Sequence, residues 1–232
     1  MNGLLIVFEG IDCCGKENQV ARTRWWLADT TETKEVSQQV VIGREPTDEW
    51  SPIGRYIRSI LQKRTPFPGN LELQRLFIVD RAQDLVCRIK PQLAQGIIRL
   101  QDRYALSTIA YGMLDGEAEQ YIRLHQEIIG VNMCWPDLTI VLDISAEEAV
   151  RRQAGRDGKP EAELFEKREL LEKIRVNYLT LAQRDDIGPI VVVNGERPRG
   201  KVFLEIRRTI AERFFPLLTL TPSITSLYED AL

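Results

Sequence analysis

The chain has one histidine, and no two of its four cysteines stand at C-x-x-C spacing. Cys13, Cys14, Cys87 and Cys134 therefore lack the companions of a structural zinc site, and nothing in their spacing suggests a disulfide framework. They read as reduced thiols. Long apolar runs are missing too. The stretch Leu4 to Phe8 is too short to span a bilayer and has neither a basic flank nor a cleavage site, so no signal peptide or membrane helix is expected. The expected location is the cytoplasm. Charge of one sign is not in excess: 31 Lys+Arg against 34 Asp+Glu gives a net charge of −3, with no whole-protein reason to expect nucleic acid or membrane as a partner. Internal repeats are absent as well. What is present, 232 residues of which 44% are hydrophobic and 28% charged, suffices for a full core in one domain.

The most informative stretch is residues 4–19. Five apolar residues run into Gly10, and helix-compatible spacing follows, so the segment reads as a buried strand, a glycine turn and a helix. The turn fits G-x-x-x-x-G-K with Gly10, Gly15 and Lys16. That spacing lets backbone N–H groups converge on one anion at a helix N-terminus while the lysine reaches the outer phosphates. Its competitor is an ordinary strand-to-helix turn.

Beyond this turn, helix patterns alternate with strand patterns. A helix is expected over Lys16–Ala28, a strand over Val36–Gly43, a helix carrying Ile53, Ile57 and Ile60, and a longer helix after the break at 65–69 through about Ile89. Gly96–Asp102 reads as a third strand, although Arg99 and Gln101 make it unusually polar. Helices at Tyr104–Met113 and Glu117–Ile129 precede the strand Pro136–Ile144, and Ser145 with Glu148 suggests a capping box. A long helix through Gln183, a strand at Pro189–Asn194 and a helix at Gly200–Phe214 complete the pattern. Such alternation implies parallel strands with right-handed crossovers and a ligand at their carboxyl ends.

The residues at these ends resemble those of the thymidylate kinase family. The resemblance rests on Phe8-Glu9-Gly10-Ile11-Asp12, Arg44-Glu45-Pro46, Phe77 with Asp80-Arg81, Asp102-Arg103-Tyr104, Ser107, Ala110-Tyr111 and the run Pro136 to Asp143, and it extends over about residues 4–214. Thr47-Asp48 after Pro46 and the segment Ser107 to Gly116, with Gly112 in place of the usual Gln, look closer to the archaeal-type branch. The resemblance implies an α/β P-loop kinase fold with a five-stranded parallel sheet and helices on both faces, a single domain over 1–214 and a short lid around 151–160. It also implies transfer of the γ-phosphate of ATP to dTMP with Mg2+, in a homodimer.

Roles carry over residue by residue. The ATP loop would be Gly10, Ile11, Asp12, Cys13, Cys14, Gly15, Lys16, Glu17 and Asn18. Phe77 resembles the aromatic that stacks on the acceptor base, and Arg81 the donor to the thymine carbonyl; their i, i+4 spacing puts both on one helix face. Arg44 and Arg103 look like clamps on the acceptor phosphate. Asp12 resembles the carboxylate near the sugar or magnesium shell, Asp102 the residue that holds magnesium through water, and Tyr111 the aromatic beneath the deoxyribose, with interior packing as its alternative. Ser107 completes the acceptor set. Cys13 stands where one branch of the family has an arginine, while Arg151, Arg152 and Arg156 lie in the lid region, so the chain resembles members whose extra catalytic arginine comes from the lid.

The loop also departs from the family at Cys13, Glu17 and Asn18. Glu17 occupies the position of the Ser or Thr that ligates magnesium, and a carboxylate ~4 Å from a phosphate charge costs roughly 4 kcal/mol at an effective dielectric of 20 unless an ion lies between. Two readings stay open at this stage: an active kinase, and a nucleotide-binding protein of the same fold that has lost turnover. A dimer is expected through an apolar stripe on the helix at 50–62. Residues 215–232 read as a tail without an assigned role.

Overall fold

In a computed structural model of the chain, residues 3–29, 39–155 and 164–215 are described. They form a five-stranded parallel sheet in the order β2-β3-β1-β4-β5, made of β1 Leu4–Glu9, β2 Val40–Arg44, β3 Ile98–Asp102, β4 Leu138–Asp143 and β5 Ile190–Asn194. β1 is central and flanked by β3 and β4. Its Leu5, Ile6, Val7 and Phe8 are fully buried, as expected for a parallel strand covered on both faces. Register sets Phe8 beside Asp102, and Asp102 beside Arg44, so three strands present their carboxyl ends at one level.

The helices are α1 Lys16–Asp29, α2 Pro52–Leu61, α3 Asn70–Asp84, α4 Lys90–Ala94, α5 Ala105–Gly112, α6 Ala118–Ile128, α7 Ala146–Ala154, α8 Arg168–Leu181 and α9 Arg199–Phe214. Ser145 caps α7 by accepting from Glu148 N, as its sequence suggests. The helix expected to end near Ile89 continues to Ala94 through a π-helical turn at Leu85–Ile89. Pro91 has no N–H to give the preceding turn, and the wider π turn lets the helix pass it. The second strand starts at Val40 rather than Val36, with residues 36–38 outside the description, and α8 starts only at Arg168.

β3 explains its own polarity. Arg99 is 1% exposed, and its guanidinium donates to Gln101 Oε1 at 2.9 Å, Gln92 Oε1 at 2.7 Å and Asp84 Oδ2 at 2.8 Å. A buried charge is tolerated only with such partners. Space for it comes from Gly43 on the adjacent strand, since a Cβ there would collide with Arg99 Nη2 and Gln101 Oε1.

Two expectations change. Ile57 and Ile60 of α2 are buried in the core, so its apolar stripe faces inward rather than outward. Phe215 is 5% exposed and packs with the core, so the body reaches one residue further than expected; residues 216–232 lie outside the described residues.

Candidate active site

The loop from Gly10 to Gly15 leaves β1 and enters α1 at Lys16, which puts its N–H groups at a helix N-terminus. The turn is tight. Gly10 (φ 134°) lies so near β4 that a Cβ would come within 2.6 Å of the Leu142 carbonyl oxygen, and Gly15 has φ 98°. Cys13, at φ 64°, takes the left-handed conformation without being glycine. Lys16 is buried and donates from Nζ to the carbonyls of Gly10 at 3.0 Å and Ile11 at 3.1 Å. Ile11 and Cys14 turn inward and are buried, while Asn18 Oδ1 accepts from Arg22 at 2.7 Å.

A polar groove runs along this loop. Asp12, Cys13, Gly15, Lys16, Glu17 and Asn18 line it from one side, Asp102 and Arg103 from another, and Arg151, Arg152 and the stretch 195–199 from a third. Arg152 reaches across, donating to the Cys14 carbonyl at 3.3 Å, to the Gly195 carbonyl at 2.8 Å and to Glu148 at 2.6 Å. Arg151 is exposed and pairs with Glu148. Arg156 lies outside the described residues.

A second cavity opens beside the groove and shares Asp12 and Arg103 with it. Phe77, Tyr111, Ser107, Thr108, Glu45 and Phe165 line it. Phe165 follows the lid region and meets Tyr111 edge-on at 5.1 Å. Arg81 is not on the wall but fully buried behind it, with Nε and Nη2 on the two oxygens of Glu45 at 2.9 and 2.5 Å and Nη2 on Thr108 Oγ1 at 3.0 Å. Burial pushes the Glu45 carboxyl up to about 7 against the pull of Arg81. Burial likewise opposes the Arg81 charge, but Glu45 outweighs it and the guanidinium stays ionised. Arg44, half-exposed, lines neither cavity and is paired with Asp48 at 3.1 Å and Glu49 at 3.5 Å.

Arg103 sits at φ 65°, donates to Asp12 Oδ1 and Ser107 Oγ, and lies 5.5 Å from the Tyr111 ring. Burial works against its charge, but Tyr111 and Asp12 outweigh that and raise its pKa. Beneath it Glu9 is wholly buried, accepting from Tyr104 N at 2.8 Å, Ser107 N at 3.1 Å, Ser107 Oγ at 2.6 Å and Tyr178 Oη at 3.0 Å. It supplies to α5 the side-chain cap that the residue preceding that helix does not provide. Burial raises its pKa, with the Ser107 hydrogen bond in opposition. Glu9, Glu45, Thr108, Phe165 and Tyr178 have no role assigned from the sequence alone. A carboxylate closing an apolar strand was the visible signal for Glu9, whereas Phe165 and Tyr178 carry no local signal.

A central parallel strand ending in a glycine loop, a buried lysine on that loop and a second, aromatic cavity joined to it by an arginine define a P-loop phosphotransferase. Comparison with known proteins narrows the class. The family model for thymidylate kinase matches residues 8–206. The thymidylate kinase of Maridesulfovibrio salexigens is 33% identical over 221 residues, 90% of this chain and 96% of its own length, and that of Halothermothrix orenii is 33% identical over 210 residues. The probable thymidylate kinase of Thermococcus onnurineus is 35% identical over 191 residues, 78% of this chain and 85% of its own length. The chain belongs to the thymidylate kinase family.

Proposed function

We propose that this protein transfers the γ-phosphate of ATP to dTMP to give dTDP, supplying deoxythymidine nucleotides. The observation that carries the reading is that the phosphate groove and the aromatic cavity share two side chains, Asp12 and Arg103, so a donor in one and an acceptor in the other meet at one arginine. Phosphoryl transfer asks little covalent chemistry of a protein: in-line positioning and neutralisation of spread negative charge are its catalytic terms. Loop N–H groups and Lys16 hold the donor phosphates, and Arg152, which reaches the loop carbonyl of Cys14, is the arginine from the lid region that joins them. Arg103 clamps the acceptor phosphate, which Arg44 joins on leaving Asp48. Phe77 stacks on the base, Tyr111 lies beneath the sugar, and Arg81, buried behind the wall, fixes Glu45 and Thr108, which line the base cavity.

Magnesium fits the groove. Asp102 Oδ1 is buried without a hydrogen-bond partner, and Glu17 lines the same groove with no ion pair among the described residues. Magnesium keeps several waters and substrate phosphates as ligands, so one or two protein carboxylates suffice for it. Asp102 would hold it through water and Glu17 from the Ser/Thr position. When bound, the ion would neutralise charge on the phosphate oxygens. A binding-only protein is the weaker reading, because Lys16, Asp102 and Arg103 all stand at the groove.

The four cysteines are free, in keeping with a reducing, cytoplasmic setting. A homodimer is supported by the outer side of α3 and the π turn, where Leu71, Val79 and Val86 are exposed. Coupled detection of ADP from ATP plus dTMP tests the activity: dTMP-dependent ADP is expected, and ADP release indifferent to dTMP would overturn it.

A further inference from the structure

With Arg81 behind the wall, an acceptor base has to be read by groups that face the cavity. Several of these are already committed. Glu45 has both oxygens on Arg81, Thr108 Oγ1 accepts from Arg81, and Ser107 Oγ lies between Glu9 and Arg103. Gln74 also lines the cavity, three residues before Phe77 on α3, so its amide and the Phe77 ring share one helix face. Gln74 is 2% exposed, and its Nε2 donates to Asn70 Oδ1 at 3.0 Å. Its Oε1 takes no hydrogen bond among the described residues, yet it is not one of the unpaired atoms sealed in the interior.

The direction of this amide follows from its neighbours. Asn70 Nδ2 donates to the Tyr111 carbonyl oxygen at 2.9 Å and to Asp115 Oδ1 at 3.0 Å. A carbonyl and a carboxylate accept, so the nitrogen of Asn70 is the atom turned to them and its oxygen the atom turned to Gln74. That oxygen requires the Gln74 nitrogen opposite it. The Gln74 oxygen is thereby left for the cavity, since a flipped amide would set two oxygens against each other and lose the bond. The network extends to α6: Tyr121 Oη donates to Asp115 Oδ1 at 2.8 Å, and a Cβ at Gly112 would come within 2.5 Å of the Tyr121 ring. The glycine departure at 112 therefore belongs with the arrangement that aims Gln74.

We propose that Gln74 is a specificity-determining residue of the acceptor site, whose Oε1 accepts the imide N3–H of thymine. This rests on the reading of the aromatic cavity as the dTMP site. Thymine and uracil carry a proton on N3, whereas cytosine has a lone pair there, which would face the Gln74 oxygen with no proton between them. A buried acceptor left unpaired costs more than a made hydrogen bond contributes, so rejection of the wrong base is the larger effect. The 5-methyl group lies elsewhere on the ring. Gln74 accordingly separates the imide bases from cytosine and does not separate dTMP from dUMP.

The test measures kcat/KM for dTMP, dUMP and 5-methyl-2′-deoxycytidine monophosphate with ATP as donor. Gln74→Met keeps the length of the side chain and removes the amide. In the folded variant the preference for dTMP over the methylcytosine nucleotide is expected to fall by about tenfold or more, while the ratio of dTMP to dUMP stays within about twofold. A Met variant with the wild-type preference overturns the proposal. So does one in which both ratios move together, because a residue that only shapes the cavity would disturb the methyl contact as well. NMR of the wild-type protein needs no variant: with dTMP labelled with nitrogen-15 at N3, the N3–H proton of the bound nucleotide is expected to be visible and shifted downfield. An N3–H that exchanges with water as freely as in the unbound nucleotide overturns the proposal. The two layers separate in the wild type: if dTMP neither binds nor drives ADP formation, the acceptor reading itself fails, whereas turnover of dTMP with selection unchanged in Gln74→Met rejects only the role of Gln74.

Discussion

Arg103 Nη2 donates to Asp12 Oδ1 at 2.5 Å, across the boundary between the phosphate groove and the aromatic cavity. Arg103 is held there in a left-handed backbone conformation, the kind of local strain that persists where surrounding contacts over-determine it. Arg103→Lys keeps one positive charge but loses the planar fork, and should lower kcat by about 100-fold or more, the scale of removing one donor to transition-state charge. Steady-state kinetics checks this, and a change confined to KM would place Arg103 in binding alone.

Phe77 lines the cavity one helical turn before Arg81. Phe77→Ala should weaken dTMP binding by about 1 to 3 kcal/mol, the range for base-on-aromatic stacking, and leave ATP binding unchanged. Calorimetry with each nucleotide separates the two, and equal losses would make Phe77 a packing residue.

Glu17 lies in the first turn of α1 and lines the phosphate groove. As a magnesium ligand it should be sensitive to charge rather than size, so Glu17→Gln should raise the magnesium concentration at half-maximal rate severalfold. If the carboxylate only repelled phosphates, the same change would increase kcat/KM instead, and recovery of ~1.4 kcal/mol would already be tenfold.

Cys13 occupies a left-handed conformation that costs an L-residue with a side chain roughly 1 to 2 kcal/mol. Cys13→Gly should therefore be more stable than Cys13→Ala by about 1 kcal/mol in urea unfolding, once the entropy of the freer unfolded chain is subtracted. Equal stabilities would show that the loop relaxes when the thiol is removed.

The exposed Leu71, Val79 and Val86 should be covered in solution. Sedimentation at micromolar concentration should show twice the 26.7 kDa chain mass, and Val79→Asp together with Val86→Asp should release monomer. A wild-type monomer rejects the dimer.

Much of this architecture was legible in the sequence because strand, loop and helix signals are local. Leu4 to Phe8 followed by Gly10, Gly15 and Lys16 needs no distant information, and Ser145 announces the cap it makes. What could not be read depends on partners far along the chain. Arg99 looked out of place in a strand until Asp84, Gln92 and Gly43 were seen around it. The apolar stripe of α2 is visible in the sequence, but only packing decides which way it faces. The sequence puts Arg81 on one helix face with Phe77, yet Glu45, Thr108 and His125, which set its geometry, come from three other segments.

The register that levels Phe8, Asp102 and Arg44 also gathers the described groove and cavity residues at one edge of the sheet, away from the other edge. The connection from α6 into β4 runs along that other edge, and at its tip Val131 is 98% exposed. A six-residue strand, at about 3.3 Å per residue, keeps this tip roughly 20 Å from the level of the phosphate loop. Val131 is therefore a natural attachment point for a surface tether that leaves both cavities open.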